Sequence, residues 1–450
     1  MATVSGGGGI HALCEDALAE ILVRLPSLSV LRCRAVCKTW RRLATDRSFL
    51  VAHAARRPRE VIVLTEHCLK ISRGATPLSL DLEPEGGDDG GRRCSRRRLP
   101  YLYDPCPRAE DGTTRTGAFD LRASLDGLLV LEELLRGRGT FIVCNPTTRQ
   151  WTNLPALTHQ CSAAYACGFY FHASSGEYRL LCHGVEGADG NSSPGPVLCW
   201  GPFKFGGPGR PHRLVTLQGR PCSSHYYYIL SAGSARPRRL ARAPSCRPKP
   251  SNSNEVLYDI PVSYRGNLHW FSEHPLGGQT GKMLAFDTAS EAFRLMPRPP
   301  ELAAEWPDRE RMRDLLVLDG ELSVATLKLL ELDIWVLQEY EAAGRWALRH
   351  RVTLPRPRDV RVVGVPPAIC RALPVGRSGI LIACPTATMG TVYDLKEKEG
   401  RGVVDIGGFP RFAVFSESLV PHAFFDLPPS PDIVPPKFFD PSDERINARN

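Results

Sequence analysis

The sequence lacks several things, and each absence removes a class of protein. No run of 18 apolar residues occurs along its 450 residues, so a membrane-spanning helix of ordinary length is not expected. The opening MATVSGGGGI has no basic cluster followed by an apolar core. It reads as a flexible lead-in, not a secretory signal. The 15 cysteines include no Cys-x-x-Cys pair, and their number is odd. With no export signal, that pattern points to reduced thiols in the cytosol or nucleus. Cys33 and Cys37 lie one helical turn apart with no nearby His, and Cys161, Cys167 and His172 fall in an apolar, strand-like run. Buried thiols are expected there, and no metal site.

Catalytic signatures are missing too. There is no Gly-x-Ser-x-Gly. GGQTGKM at residues 277–283 has three residues between its outer glycines where a phosphate loop has four, and Met283 stands where Ser or Thr must hold magnesium. A hairpin loop is expected. His269 sits in a strand-like Leu-His-Trp, as a packed or edge residue. His225 precedes three tyrosines, Tyr226, Tyr227 and Tyr228, which as strand residues must point to both faces, at least one into the core. Glu132 and Glu133 fall near a turn and read as solvated. No nucleophile, base and orienting residue assemble from spacing, so neither an enzyme nor a cofactor is expected.

The net charge is +9, a mild bias concentrated in RRCSRRR at 92–98 and RPRRLAR at 236–242. Both runs lie among Gly, Pro and Ser, which suits solvated loops or nuclear-localisation signals. Neither interleaves aromatic residues, so nucleic-acid binding is not expected.

What is present begins with one stretch of dense helical spacing, LCEDALAEILVRLPSLSVLRCRAVCKTWRRLATDRSF at residues 13–49. Leu18, Ile21, Leu22 and Leu25 share one helical face. Pro26 stops that helix. Ser27 or Ser29 is placed to cap a second, carrying Leu28, Leu31 and Ala35. Val36, Trp40 and Leu43 repeat the spacing on a third. Glu15 and Asp16 suit the positive end of the first helix. A unit this small buries little of its own apolar surface, so part of it should meet another surface, on this chain or on a partner.

Beyond EVIVL at 60–64, strand signals dominate. Asp126-Gly127, Arg265-Gly266-Asn267 and Asp319-Gly320 mark turns between apolar runs. One phrase recurs: a strand, an Asx or acidic residue at a turn, a few polar residues, an aromatic, then Leu-Pro or a similar ending. It reads VCNPTTRQWTNLP around Asn145 and MLAFDTASEAFRLMP around Asp287, with looser copies around Glu341 and Asp394. Asx side chains bond the backbone two residues on. A period of about 50 residues with several strands per unit is a β-propeller signature. A β-sandwich or open barrel is the other arrangement that short strands allow. The expected class is α+β and multidomain, a small three-helix unit followed by a large all-β, propeller-like domain. The expected layout is a lead-in at 1–10, helices at 11–55, a β-rich domain at 60–419 with surface loops 83–98, 186–211 and 231–254, and a tail at 420–450, although Phe424 and Phe425 have the character to dock.

The helical stretch resembles the F-box motif. Leu13, Asp16, Leu18, residues 21–25, Pro26, Leu31, Val36-Cys37-Lys38, Trp40, Leu43 and Phe49 match it in order and spacing. The likeness is greatest to plant F-box proteins. One departure is Cys14, where the family usually has Pro, a residue that presets the backbone at a helix start. The phrases SLDGLLVL, VCNPTTRQWTNLP, CGFYFHASSGEYRLL, YRGNLHWF, MLAFDTASEAFRLMP and LDIWVLQEYEAAGRWALRHRVTLP, between 124 and 404, are similar in order to the F-box-associated region of such proteins. The resemblance implies a non-catalytic substrate-recognition subunit of an SCF-type cullin–RING ubiquitin ligase. Leu13, Leu18, Ile21, Leu22, Leu25, Pro26, Leu31, Val36 and Trp40 would bind the ligase adaptor and, through it, cullin. The β-domain would hold a target protein, with no nucleic acid, membrane, metal or cofactor involved. The alternative is a propeller that binds a small ligand or acts as an enzyme, with the helices as an intramolecular cap.

Overall fold

The structure is a computed structural model. It describes residues 13–57, 60–66, 73–78, 103–104, 119–133, 139–158, 160–161, 163–186, 224–240, 247–248, 250–252, 255–258, 261–273, 279–300, 312–328, 330–340, 344–353, 371–375, 379–383, 389–405, 411–431, 433 and 436. The expected lead-in, the loop at 83–98 with its basic run, and most of the loop at 186–211 lie outside the described residues.

Four helices come first, not three: α1 (Glu15–Leu22), α2 (Ser27–Cys33), α3 (Lys38–Thr45) and α4 (Arg47–Ala55). Pro26 occupies the N-cap position of α2, so Ser27 is already helical and Ser29 is inside the helix. The caps lie elsewhere. Cys37 Sγ accepts the Trp40 N–H at 3.5 Å, and Asp46 Oδ1 accepts the Phe49 N–H at 3.1 Å. The Asp46 cap starts the helix missed by periodicity, which buries Phe49, Leu50 and His53. Val36 precedes the Cys37 cap and lies between helices, so it does not share a face with Trp40 and Leu43.

The β-region opens with β1 (Glu60–Glu66), β2 (Arg73–Leu78) and β3 (Tyr103–Asp104), antiparallel in that order. A meander of β4 (Phe119–Leu125), β5 (Leu128–Glu133), β6 (Phe141–Asn145) and β7 (Gln150–Asn153) follows. The next is β8 (Ala163–His172), β9 (Glu177–Glu186), β10 (Ser224–Ser231) and β11 (Arg238–Arg239). Then come β12 (Arg247–Pro248), a ribbon of β13 (Pro250–Asn252) and β14 (Glu255–Tyr258), and β15 (Val262–Tyr264), β16 (Asn267–Glu273), β17 (Gln279–Asp287) and β18 (Ala292–Pro297). β15 and β12 share one edge of β16. Two further meanders are β19 (Met312–Leu318), β20 (Glu321–Lys328), β21 (Glu331–Leu337), β22 (Trp346–Thr353), and β23 (Arg371–Val375), β24 (Gly379–Ala383), β25 (Met389–Asp394), β26 (Glu399–Asp405). The last strand, β27 (Arg411–Phe415), pairs with β1, which joins the two ends of the β-region in one sheet.

These six sheets of four or five strands form a β-propeller. The first strands of neighbouring sheets meet, β27 with β4, β4 with β8, β15 with β19 and β19 with β23. Between sheets lie apolar layers. Leu128, Val130 and Phe141 pack against Phe169, Leu180 and Tyr228, while Tyr227, Leu181 and Tyr170 pack against Trp270, Leu284 and Phe286. A sheet covered on both faces favours near-continuous apolar runs, and β5 and β6 are buried throughout, with apolar residues at 128–131 and 141–144. For the same reason Tyr227 and Tyr228 are both core, on opposite faces.

The recurring phrase has a physical basis. Asn145 Oδ1 accepts the N–H of Thr147 and Thr148, Asp287 Oδ1 that of Ala289 and Ser290, and Asp394 Oδ1 that of Lys396 and Glu397. In each case the residue four beyond the Asx is left-handed: Arg149, Glu291 and Lys398. Glu341, named in the sequence as a looser copy, lies outside the described residues. Asp126-Gly127, Arg265-Gly266 and Asp319-Gly320 each place two successive residues at positive φ, the twist-matched hairpin turn between first and second strands.

Two other expectations need correction, and the docking of Phe424 and Phe425 is observed. Glu132 and Glu133 are buried, not solvated, and Glu132 accepts Arg122 Nε at 2.6 Å. The loop at 231–254 contributes β11, β12 and β13 to the sheets, with Leu240 in the core. The described part of the tail docks: Phe424 and Phe425, on a short 3-10 helix (Ala423–Asp426), pack on the layer between β4–β7 and β8–β11. Ser430 N–H also donates to Asn153 Oδ1 at 2.7 Å.

Candidate partner-binding surface

The helical module has its own core of Leu18, Leu22, Val23, Val30, Cys33, Ala44, Phe49 and Leu50, closed by Leu419 from the segment after β27. Leu25, Leu31, Trp40 and Leu43 are partly buried against that core. The nine residues singled out by sequence therefore separate. Leu18 and Leu22, at 4% and 0% exposure, face inward and are not available to a partner. Leu25, Leu31 and Trp40 straddle the core edge. Leu13, Ile21 and Val36 stand outside at 43%, 43% and 56%, and Pro26 is exposed.

Polar contacts hold this arrangement. Arg34 Nε donates to Ala44 O at 3.1 Å and Arg41 Nε to Arg34 O at 3.0 Å, which fixes the α2–α3 connection that carries Val36. Burial lowers the Arg34 pKa from its usual value. His53 is fully buried, its Nε2 2.9 Å from Leu25 O, and burial lowers its pKa. The ion pairs of Arg24 and Arg56 with Glu20, at 3.4 Å each, are solvent-exposed and contribute little.

The contact with the propeller was not legible in the sequence. Ser416 Oγ donates to Arg57 O at 3.4 Å, and Ser418 O accepts buried Asn145 Nδ2 at 3.0 Å. Between them the chain passes over Gly127, where an added Cβ would lie 2.3 Å from Ser418 Cβ. The only local hint was the apolar Leu419-Val420 after the last strand.

Elsewhere on the propeller, the residues weighed for chemistry have structural roles. His269 is buried, with Nδ1 3.1 Å from Val262 O and Nε2 2.9 Å from Tyr340 Oη, and burial lowers its pKa to about 4. Cys161 and Cys167 are buried thiols in different layers, and His172 is at a turn against Ser175 and Ala289 O. Lys282 and Met283 are residues of β17, the second strand of a hairpin with β16. Among the described residues no group of three His, Cys, Asp or Glu is placed to hold a metal ion.

The fold is thus that of a two-part protein, a small helical unit with exposed apolar side chains fixed to a propeller. Residues 10–52 match the F-box domain. The chain is 25% identical over 365 residues to F-box protein At3g07870 of Arabidopsis thaliana, covering 80% of this chain and 76% of that protein. It is 22% identical over 408 residues to F-box protein At5g49610 of the same plant, covering 88% and 91%. Among solved structures, a chain of the nidogen/laminin complex aligns over 80% of this chain and 100% of its own, with a TM-score of 0.39 and 8% identity. The chain thus carries an N-terminal F-box domain on a β-propeller, and resembles plant F-box proteins along most of its length.

Proposed function

We propose that the protein is the substrate-recognition subunit of an SCF-type cullin–RING ubiquitin ligase, working in the cytosol or nucleus. The F-box domain binds the ligase adaptor and thereby cullin. The propeller binds a target protein and raises the effective concentration of its lysines near the ligase. The chain does no chemistry itself. The observation that carries this reading is the set of Leu13, Ile21, Pro26 and Val36, left exposed on a module whose own core is already closed by Leu419. Burying such side chains contributes about 1.5–3 kcal/mol each before ordering costs.

The test is capture of a purified adaptor subunit by the full-length chain. The double variant Ile21→Asp, Val36→Asp should weaken capture by about 100-fold. Leu295→Asp, at 44% exposure on the outer strand β18, should leave it unchanged. Failure of the wild-type chain to bind adaptor, or equal capture by the double variant, would refute the assignment. Turnover or small-molecule binding by the propeller would favour a ligand-binding protein with a helical cap.

A further inference from the structure

Two neighbouring layers of the propeller contain the same kind of side-chain cluster with one difference. Between β8–β11 and β15–β18, Tyr170 Oη donates to Glu291 Oε1 at 2.7 Å and Arg179 donates to the same oxygen at 2.6 Å. Arg238 pairs with the other oxygen, Oε2. Two guanidiniums and a phenol thus converge on one carboxylate supplied by the protein, at the left-handed position that ends an Asx turn.

Between β15–β18 and β19–β22 the cations and phenols recur. The Arg294 guanidinium lies 4.7 Å from the centre of the Tyr340 ring, and that of Arg265 lies 5.7 Å from the same ring and 5.4 Å from Tyr264. Tyr264 and Tyr340 meet edge to face at 5.4 Å. Tyr340 is 6% exposed and anchored from below by His269 Nε2, whose ring is fixed through Nδ1 to Val262 O. Both arginines are exposed. Among the described residues neither is paired with a carboxylate. Asp287 interacts with Arg294 only through space, its Oδ1 engaged by the backbone of Ala289 and Ser290. Aromatic seats restrict the guanidiniums and leave their N–H edges for a ligand. The first cluster shows what such a group binds when the anion is built in; the second presents the cations alone.

We propose that Arg265 and Arg294, seated on Tyr340, form an oxyanion site that takes a phosphorylated or carboxylate side chain of the bound target. This rests on the reading of the propeller as the target-binding part. The Arg265-Gly266 turn joins the first and second strands of its sheet, and the helical module enters its own sheet between first strand β27 and second strand β1. The site therefore lies on the propeller face that carries the F-box domain. An anchored target would be held on the ligase side.

The experiment uses the full-length chain and three oriented peptide libraries, alike except for a fixed central serine, phosphoserine or glutamate. Preferential retention of one or both anionic libraries, lost by about ten-fold or more in Arg265→Gln, Arg294→Gln, supports the site and identifies its source of oxyanion. Arg236→Gln, which removes an exposed arginine elsewhere, should retain the preference. Equal retention of all three libraries, or an undiminished preference in the double variant, overturns the proposal. Adaptor capture is measured on the same preparations. Its failure with the peptide preference intact would count against the ligase assignment and not against the oxyanion site.

Discussion

At the scale of single residues, local geometry states what each position requires. Cys14 stands at the N-cap of α1 with φ −64°, a value that proline adopts without strain. Cys14→Pro should stabilise the helical module by about 0.4–1 kcal/mol by restricting the unfolded chain. If the entry to α1 belongs to the adaptor contact, it should also tighten binding in a titration; unchanged affinity would place the entry outside that contact. His269 makes a different prediction. Its folded pKa of about 4 lies below its ordinary 6.5 because burial disfavours the cation. Between those values the unfolded state binds more protons, so stability falls as pH drops from 6.5 towards 4. The contribution is about 3 kcal/mol. Urea titrations across that window should show a shallower decline in His269→Gln than in the parent, with His53, His350 and His422, also lowered by burial, and the lowered carboxyls of Glu177, Asp287 and Glu291 contributing to the remaining slope.

At the scale of elements, the same turn serves two purposes at different sites. Asp287 only folds its own hairpin, whereas Asn145 folds its hairpin and holds Ser418 O through Nδ2. Asn145 is fully buried. Asn145→Ala should therefore cost more, about 2–4 kcal/mol against 1–2 for Asp287→Ala, as read from denaturant midpoints at constant m. Its amide leaves a buried carbonyl of the connecting segment without a donor, as well as freeing two turn N–H groups. That segment also couples helices to sheets through Leu419, 2% exposed in the helical core. Leu419→Asp would bury a charge and remove apolar contact, destabilising the module by about 3–5 kcal/mol. Hydrogen exchange should show α1–α4 losing protection while β5, β6, β20 and β24 retain theirs. Equal loss in both parts would mean that the F-box domain and propeller unfold as one unit.

At the scale of the whole molecule, the chain's ends do the joining. β27 closes the propeller against β1, then runs on beneath the F-box domain and back over the sheets with Phe424 and Phe425. The placement of the F-box domain on the propeller is thereby set by residues far apart in sequence. Much of this was legible beforehand. The Asx phrases marked three hairpins and the Asp-Gly pairs two more, because each depends only on bonds within a few residues, whereas α1 ends at Leu22, ahead of Pro26, which stands at the N-cap of α2. The two-part organisation followed from the change of apolar period near residue 60. Tertiary structure alone decided which apolar residues look outward. Leu18, Ile21 and Leu22 share one helical face by spacing, yet α1 meets neighbours over an arc that covers Leu18 and Leu22 and leaves Ile21 out. It also decided that Glu132 is buried opposite Arg122, that Leu419 completes a core begun four hundred residues earlier, and that Arg265 and Arg294 share a tyrosine. Periodicity reports the average environment of a face. It carries no record of which distant segment covers it, because the free energy of such a contact belongs to both partners and leaves no pattern in either one alone.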